Sequence, residues 1–146
     1  MMEDKLKDVT SKSGQEWFYS DTVKDHFFNP RNLLKTKEEA EEYSKIADGI
    51  GIKGSPACGD MMKIWIRVDE EDRIQECKYQ TFGCATAIAS TSMFSTMVEG
   101  MKIEDALSIK PKDISEKLGG LPEAKFHCSV LADQAFKEAV KDYKNN

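Results

Sequence analysis

Across its 146 residues the chain has only four cysteines, four prolines and two histidines, and no apolar run approaches the length of a membrane span, which takes roughly 18 residues. A spanning helix is therefore excluded. No Cys-x-x-Cys pair occurs, so cysteine spacing alone does not define a metal site. Positive charge is not in excess either: 21 basic and 26 acidic residues are interleaved, for a net charge of −5. That balance argues against nucleic-acid binding through a broad basic face. The opening Met1-Met2-Glu3-Asp4-Lys5 lacks an apolar h-region, and charges of both signs follow at once, so neither a secretory signal nor a transit peptide is expected. A cytoplasmic, reducing compartment follows as the expectation. There, Cys58, Cys77, Cys84 and Cys128 would persist as free thiols or metal ligands rather than as disulfides. No internal repeat or low-complexity segment is present.

What remains fits one domain large enough for a real core. Residues 1–16 are polar and aperiodic, and a mobile tail over 1–18 is expected, with a single domain over 19–146. A short helix is expected from Tyr19, capped by Ser20 or Asp21, with Val23, Phe27 and Phe28 inward and Asn29-Pro30 as its stop. Lys37 to Ala47 predicts a charged second helix, its Lys37-Glu38-Glu39 cluster solvated. Met62, Ile64, Ile66 and Val68 alternate with Lys63, Trp65, Arg67 and Asp69, the period of a half-buried strand. The acidic run 69–72 reads as a turn, and Arg73 to Phe82 as the next strand, with Cys77, Tyr79 and Thr81 on one side. A short strand before Pro56 completes a three-stranded antiparallel sheet. Beyond Gly83 the chain reads as helical. Ala87, Ile88, Thr91, Phe94, Val98 and Met101 form one apolar stripe, short helices cover 104–109 and 112–118, and a last helix over 126–143 packs through Leu131, Ala135, Ala139 and Tyr143. The fold class is α+β: a small antiparallel sheet against several helices, with a helical C-terminal half.

Three places carry chemistry. Cys58-Gly59-Asp60 lies between two strands, where a glycine lets a thiolate and a carboxylate turn toward one ion. Cys84 follows Gly83 where strand becomes helix, and His127-Cys128 opens the last helix. Unpaired N–H groups and the helix dipole stabilise a thiolate at such positions. Ile88 and Leu131, one turn further along, put both cysteines on the inner sides of their helices, so three thiols could meet at one end of the domain. Thiolates suit iron–sulfur clusters or zinc, and a carboxylate or imidazole is a weaker fourth ligand to a cluster. Three cysteines with Asp60 or His127 should hold a cluster loosely, which suits a protein that gives it away. Asp60 also fits a plain turn residue. Cys77, within a strand, reads as a small buried hydrophobe, His26 as a surface or packing residue, and Met93, Met97 and Met101 as core. From residues alone three functions stay open: a cluster scaffold, a zinc-dependent sulfur acceptor or desulfurase activator, and a structural zinc domain.

The motifs Gly54-Ser55-Pro56-Ala57-Cys58-Gly59-Asp60, Thr81-Phe82-Gly83-Cys84 with Ala87-Ile88-Ala89-Ser90, and Lys125-Phe126-His127-Cys128-Ser129 closely resemble the IscU family. The same family supplies the N-terminal domain of NifU. Tyr19-Ser20, Asp25-His26 and Asn29-Pro30-Arg31-Asn32 resemble its first helix, and the likeness runs over roughly residues 19–143. It implies a scaffold, not an enzyme with turnover of its own, on which a transient [2Fe–2S] cluster is built. Iron (Fe²⁺) binds there, with Zn²⁺ as an alternative occupant. Sulfur comes as persulfide from a cysteine desulfurase, electrons from a donor such as ferredoxin, and the cluster passes to recipient apoproteins. On this sequence Cys58, Cys84 and Cys128 become the ligands, Asp60 the labile ligand, His127 the alternate ligand and Cys128 the persulfide acceptor. Leu121-Pro122-Glu123-Ala124-Lys125 departs from the Leu-Pro-Pro-Val-Lys of many members, which calls a DnaK-type chaperone partner into question. The segment 35–48 is longer than usual, so contacts with a desulfurase are expected to differ there. The SufU branch, with an insertion between its second and third cysteines and no histidine, does not fit. No second Cys-rich domain follows, so a full-length NifU is not expected. Whether one chain holds the cluster or a homo-oligomer shares it stays open.

Overall fold

The computed structural model describes residues 20–55, 60–82, 85–120 and 127–145; the proposed N-terminal tail lies outside them. Ser20 caps helix α1 (Asp21–Phe28), its hydroxyl accepting the Val23 N–H at 3.1 Å and donating to the Leu118 carbonyl. Helix α2 (Lys37–Ser44) is capped by Thr36, which accepts the Glu39 N–H, and ends three residues short of the expected Ala47. Strands β1 (Gly49–Ser55), β2 (Asp60–Val68) and β3 (Ile74–Phe82) form an antiparallel sheet in that order. In the acidic turn between β2 and β3, the Asp69 carboxylate accepts the N–H groups of Glu71 and Arg73, and Asp72 is left-handed at φ 61°. Helices α3 (Ala85–Val98), α4 (Ile103–Leu107), α5 (Pro111–Lys117) and α6 (His127–Asn145) follow. Pro111 takes the first position of α5, where a missing N–H costs nothing.

Met62, Ile64 and Ile66 of β2 and Cys77 and Tyr79 of β3 face one buried layer, against α3 and α6. That is the alternation read from the sequence. Two expectations need correction. Trp65 shares the outward register of Lys63 and Arg67 but is fully buried. Helix α2 lies over it, Ala40 and Leu34 pack beside it, and its Nε1–H donates to Ser44 Oγ at 2.7 Å. The longer 35–48 segment thus covers part of the outer sheet face and gives it a small second core. Helix α3 is buried on more than a stripe: Thr86, Ala89, Ser90, Ser92 and Ser95 are as inaccessible as Phe94 and Val98. Serines and threonines hide a buried helix from a reading by hydrophobic period. On α6 the expected Leu131, Ala135, Ala139 and Tyr143 do pack on the core, Leu131 and Tyr143 partly buried, and Phe136 and Ala132 are buried with them.

His26 is buried on α1, its Nδ1 2.7 Å from Ser92 Oγ on α3. Burial first, then the Arg31 charge, hold its pKa below the ordinary histidine value, while Asp25 acts weakly the other way. A histidine favoured neutral in the fold takes up fewer protons than the unfolded chain. Stability is therefore full above pH 6.5 and falls on acidification through the folded pKa. Melting curves between pH 8 and 5 are expected to show this loss, and His26→Gln to flatten it.

Candidate metal centre

Backbone geometry brings chain ends that flank the sequence-predicted positions to one end of the sheet. Ser55, the last residue of β1, pairs with Asp60, the first of β2. Residues 56–59, with Cys58, join them. Phe82 closes β3 opposite Met61, and only residues 83–84, with Cys84, separate it from α3. Tyr79 Oη donates to the Ile88 carbonyl and Thr91 Oγ1 lies 3.5 Å from Met62 Sδ, so the first turns of α3 stand over these strand ends.

The start of α6 arrives by a different route. Gly49 and Gly51 lie directly under that helix: a Cβ on Gly49 would sit 2.2 Å from the Ala139 carbonyl oxygen, and one on Gly51 2.2 Å from that of Ala135. Two residues along the strand, roughly 7 Å, thus match four back along the helix, roughly 6 Å. The two run antiparallel. Four further strand residues reach Ser55, and about nine helix residues, on the order of 13 Å, reach the first turn of α6. His127 and Cys128 are the first two residues of that helix. Asp60 and Cys128 are therefore described as backbone positions at one end of the domain. Cys58 and Cys84 lie outside the described residues, within links that start and finish at the same end. An open cavity of about 520 Å³ adjoins, with Met61, Thr81, Ile88, Lys35 and Lys37 on its wall.

Cys77 and His26 are elsewhere. Cys77 is wholly inaccessible in mid-β3, and burial pushes its thiol pKa far up. It is the small core hydrophobe expected. Iodoacetamide on native protein should leave Cys77 unmodified in peptide mass spectra and reach it only after denaturation; labelling of native Cys77 at a free-thiol rate would contradict its burial. Among the described residues no group of three His, Cys, Asp or Glu side chains is placed to hold a metal, and no helix is long and apolar enough to cross a membrane.

The sequence reading missed Ser90 and Ser129. Both are fully buried and neither hydroxyl has a partner among the described residues. Their one sequence signal was closeness to the cysteine motifs.

A family model described as the NifU-like N terminal domain matches residues 18–146. The chain belongs to this family. Within it, the iron-sulfur cluster assembly scaffold protein IscU 1 of Archaeoglobus fulgidus is 50% identical over 125 residues, covering 86% of this chain and 76% of that protein. The iron-sulfur cluster assembly scaffold protein IscU of Azotobacter vinelandii is 45% identical over 127 residues, covering 87% and 94%. The crystal structure of a nitrogen-fixing NifU-like protein (N-terminal) from Brucella abortus superimposes with a TM-score of 0.59 over 100% of this chain and 99% of that one. At 13% identity it speaks for the fold alone. The family's α+β architecture is the one described above.

Proposed function

We propose that this member of the NifU N-terminal family is a scaffold for assembling a transient [2Fe–2S] cluster in a reducing, cytoplasmic setting, without turnover of its own. The reading is supported by the described ends of β1, β2 and β3 and the starts of α3 and α6, which lie at one end of the sheet. The cysteine motifs fall on the β1–β2 link, the β3–α3 link and the start of α6. The scaffold relatives at 45–50% identity support the same reading.

The donor set suits the cargo. Cys58, Cys84 and Cys128 supply soft thiolates for iron, Asp60 a hard, exchangeable carboxylate, and His127 an alternate imidazole. The first turn of a helix leaves backbone N–H groups without intrahelical partners, and at the start of α6 these would stabilise negative sulfur at Cys128. There the thiolate attacks the outer sulfur of a desulfurase persulfide, and the desulfurase cysteine leaves as a thiolate. Two electrons from a ferredoxin-type donor then reduce that sulfane sulfur to sulfide as it joins the iron. Recipient apoproteins take the cluster by offering thiolates that displace the weakest ligand first. The open cavity beside Met61 and Thr81 leaves room for them to approach.

Anaerobic reconstitution with ferrous iron, cysteine and a cysteine desulfurase is expected to give coloured protein with iron and sulfide in equal amounts. That colour should move to an added apo-ferredoxin. Colourless protein that keeps firmly bound zinc and refuses iron and sulfide would overturn the proposal in favour of a zinc-dependent sulfur acceptor.

A further inference from the structure

We infer that the hydroxyls of Ser90 and Ser129 donate hydrogen bonds to sulfur at the metal centre, making them positioning residues for its thiolates and sulfides; this rests on the function proposed above. A buried hydroxyl without a partner costs about 1–3 kcal/mol, and a folded domain keeps few of them. On α3 the neighbours of Ser90 avoid that cost. Thr91 and Ser95 donate to the carbonyls of Ala87 and Ser92 at 2.8 and 2.7 Å, and Ser92 Oγ receives the Arg31 N–H. Ser90, equally buried, bonds to nothing described, and Ser129 on α6 repeats the pattern.

Their placement says where a partner would be. Helix α3 leaves the sheet end that holds Phe82, and α6 leaves the end that holds Ser55 and Asp60, so the two run side by side in the same direction. Phe94 of α3 meets Phe136 of α6 edge-on, centroids 5.1 Å apart. Ser90 is one turn before Phe94, and Ser129 two turns before Phe136, roughly 6 and 10 Å nearer the helix starts on the same faces. Both hydroxyls therefore lie between the aromatic pair and the starts of α3 and α6, the side on which the centre is proposed. Helical Cα–Cβ bonds tilt toward the helix N-terminus, so each leans that way. Sulfur of a bound thiolate or sulfide accepts hydrogen bonds, and Ser129 adjoins Cys128 in the chain. The two hydroxyls are a donor pair built in ahead of the cargo.

Metal-free protein titrated with Zn²⁺ against a chromophoric chelator tests this without cluster chemistry. Ser90→Ala and Ser129→Ala are each expected to weaken Zn²⁺ binding about tenfold, the scale of one hydrogen bond to a charged group. Each should also shrink the rise in Tm on adding zinc, while the metal-free variants melt no lower than the parent. Thr91→Val, which removes a satisfied bond, should do the reverse: a lower Tm and parent-like zinc affinity. Parent-like zinc binding in both alanine variants, or a metal-free Tm several degrees down, would make the serines purely structural and end the inference. A parent that takes up neither zinc nor cluster defeats the functional reading itself, a distinct result.

Discussion

Gly51→Ala is expected to cost the domain about 3 kcal/mol or more and to lower Tm by roughly 10 °C or beyond. The added Cβ would stand 2.2 Å from the Ala135 carbonyl oxygen and 2.3 Å from the Ala139 nitrogen. Both obstacles are main chain, so no rotamer change relieves them. Helix α6 must lift from β1, opening the layer where Ala135, Phe136 and Ala139 are buried. Gly120→Ala is the comparison. Nothing lies within 4 Å of its Cβ, and only its φ of +99° is strained, a cost of about 1–2 kcal/mol. Urea or thermal unfolding of the two variants decides the matter. If Gly51→Ala loses no more than Gly120→Ala, the helix yields easily and the close contact does not set its height. That height matters because it brings His127-Cys128 level with Asp60. A surviving Gly51→Ala fold should therefore bind metal poorly as well.

Cys84→Ser and Asp60→Ala are expected to act in opposite directions on the cluster. Serine replaces a soft thiolate with a neutral oxygen, and iron held by the remaining groups should not survive gel filtration. On the proposed function the carboxylate of Asp60 has the opposite role: it would leave iron readily and let water or an incoming thiolate enter. Alanine at position 60 closes that path, and cluster loss to a chelator should slow about tenfold, a barrier change near 1.4 kcal/mol. Visible absorbance followed after chelator addition reads both effects. Parent-like loss in Asp60→Ala would refute the labile-carboxylate argument and leave the thiolates in place.

The two kinds of prediction draw on different information. Strands β2 and β3 were legible because a sheet with one buried face forces Met62, Ile64 and Ile66 into strict alternation with exposed positions. Ser20 and Pro111 marked helix starts through local chemistry that acts within one turn. The full burial of helix α3 was harder to read, since its buried Ser and Thr lie beyond the apolar stripe and carry no hydrophobic period. Trp65 misled for a related reason: its cover, α2, comes from a segment with no apolar period of its own.

The cysteine, carboxylate and histidine motifs, the strand alternation and the family likeness are properties of residue order, and the sequence alone carried them, because ligand chemistry and local backbone preference depend on near neighbours. Which chain ends share one corner of the molecule depended on the tertiary structure. So did the seating of α6 on two side-chain-free glycines of β1, and the burial of Ser90 and Ser129 without partners among the described residues. These depend on contacts between residues some 40 to 90 positions apart, and no local period encodes a distance of that kind.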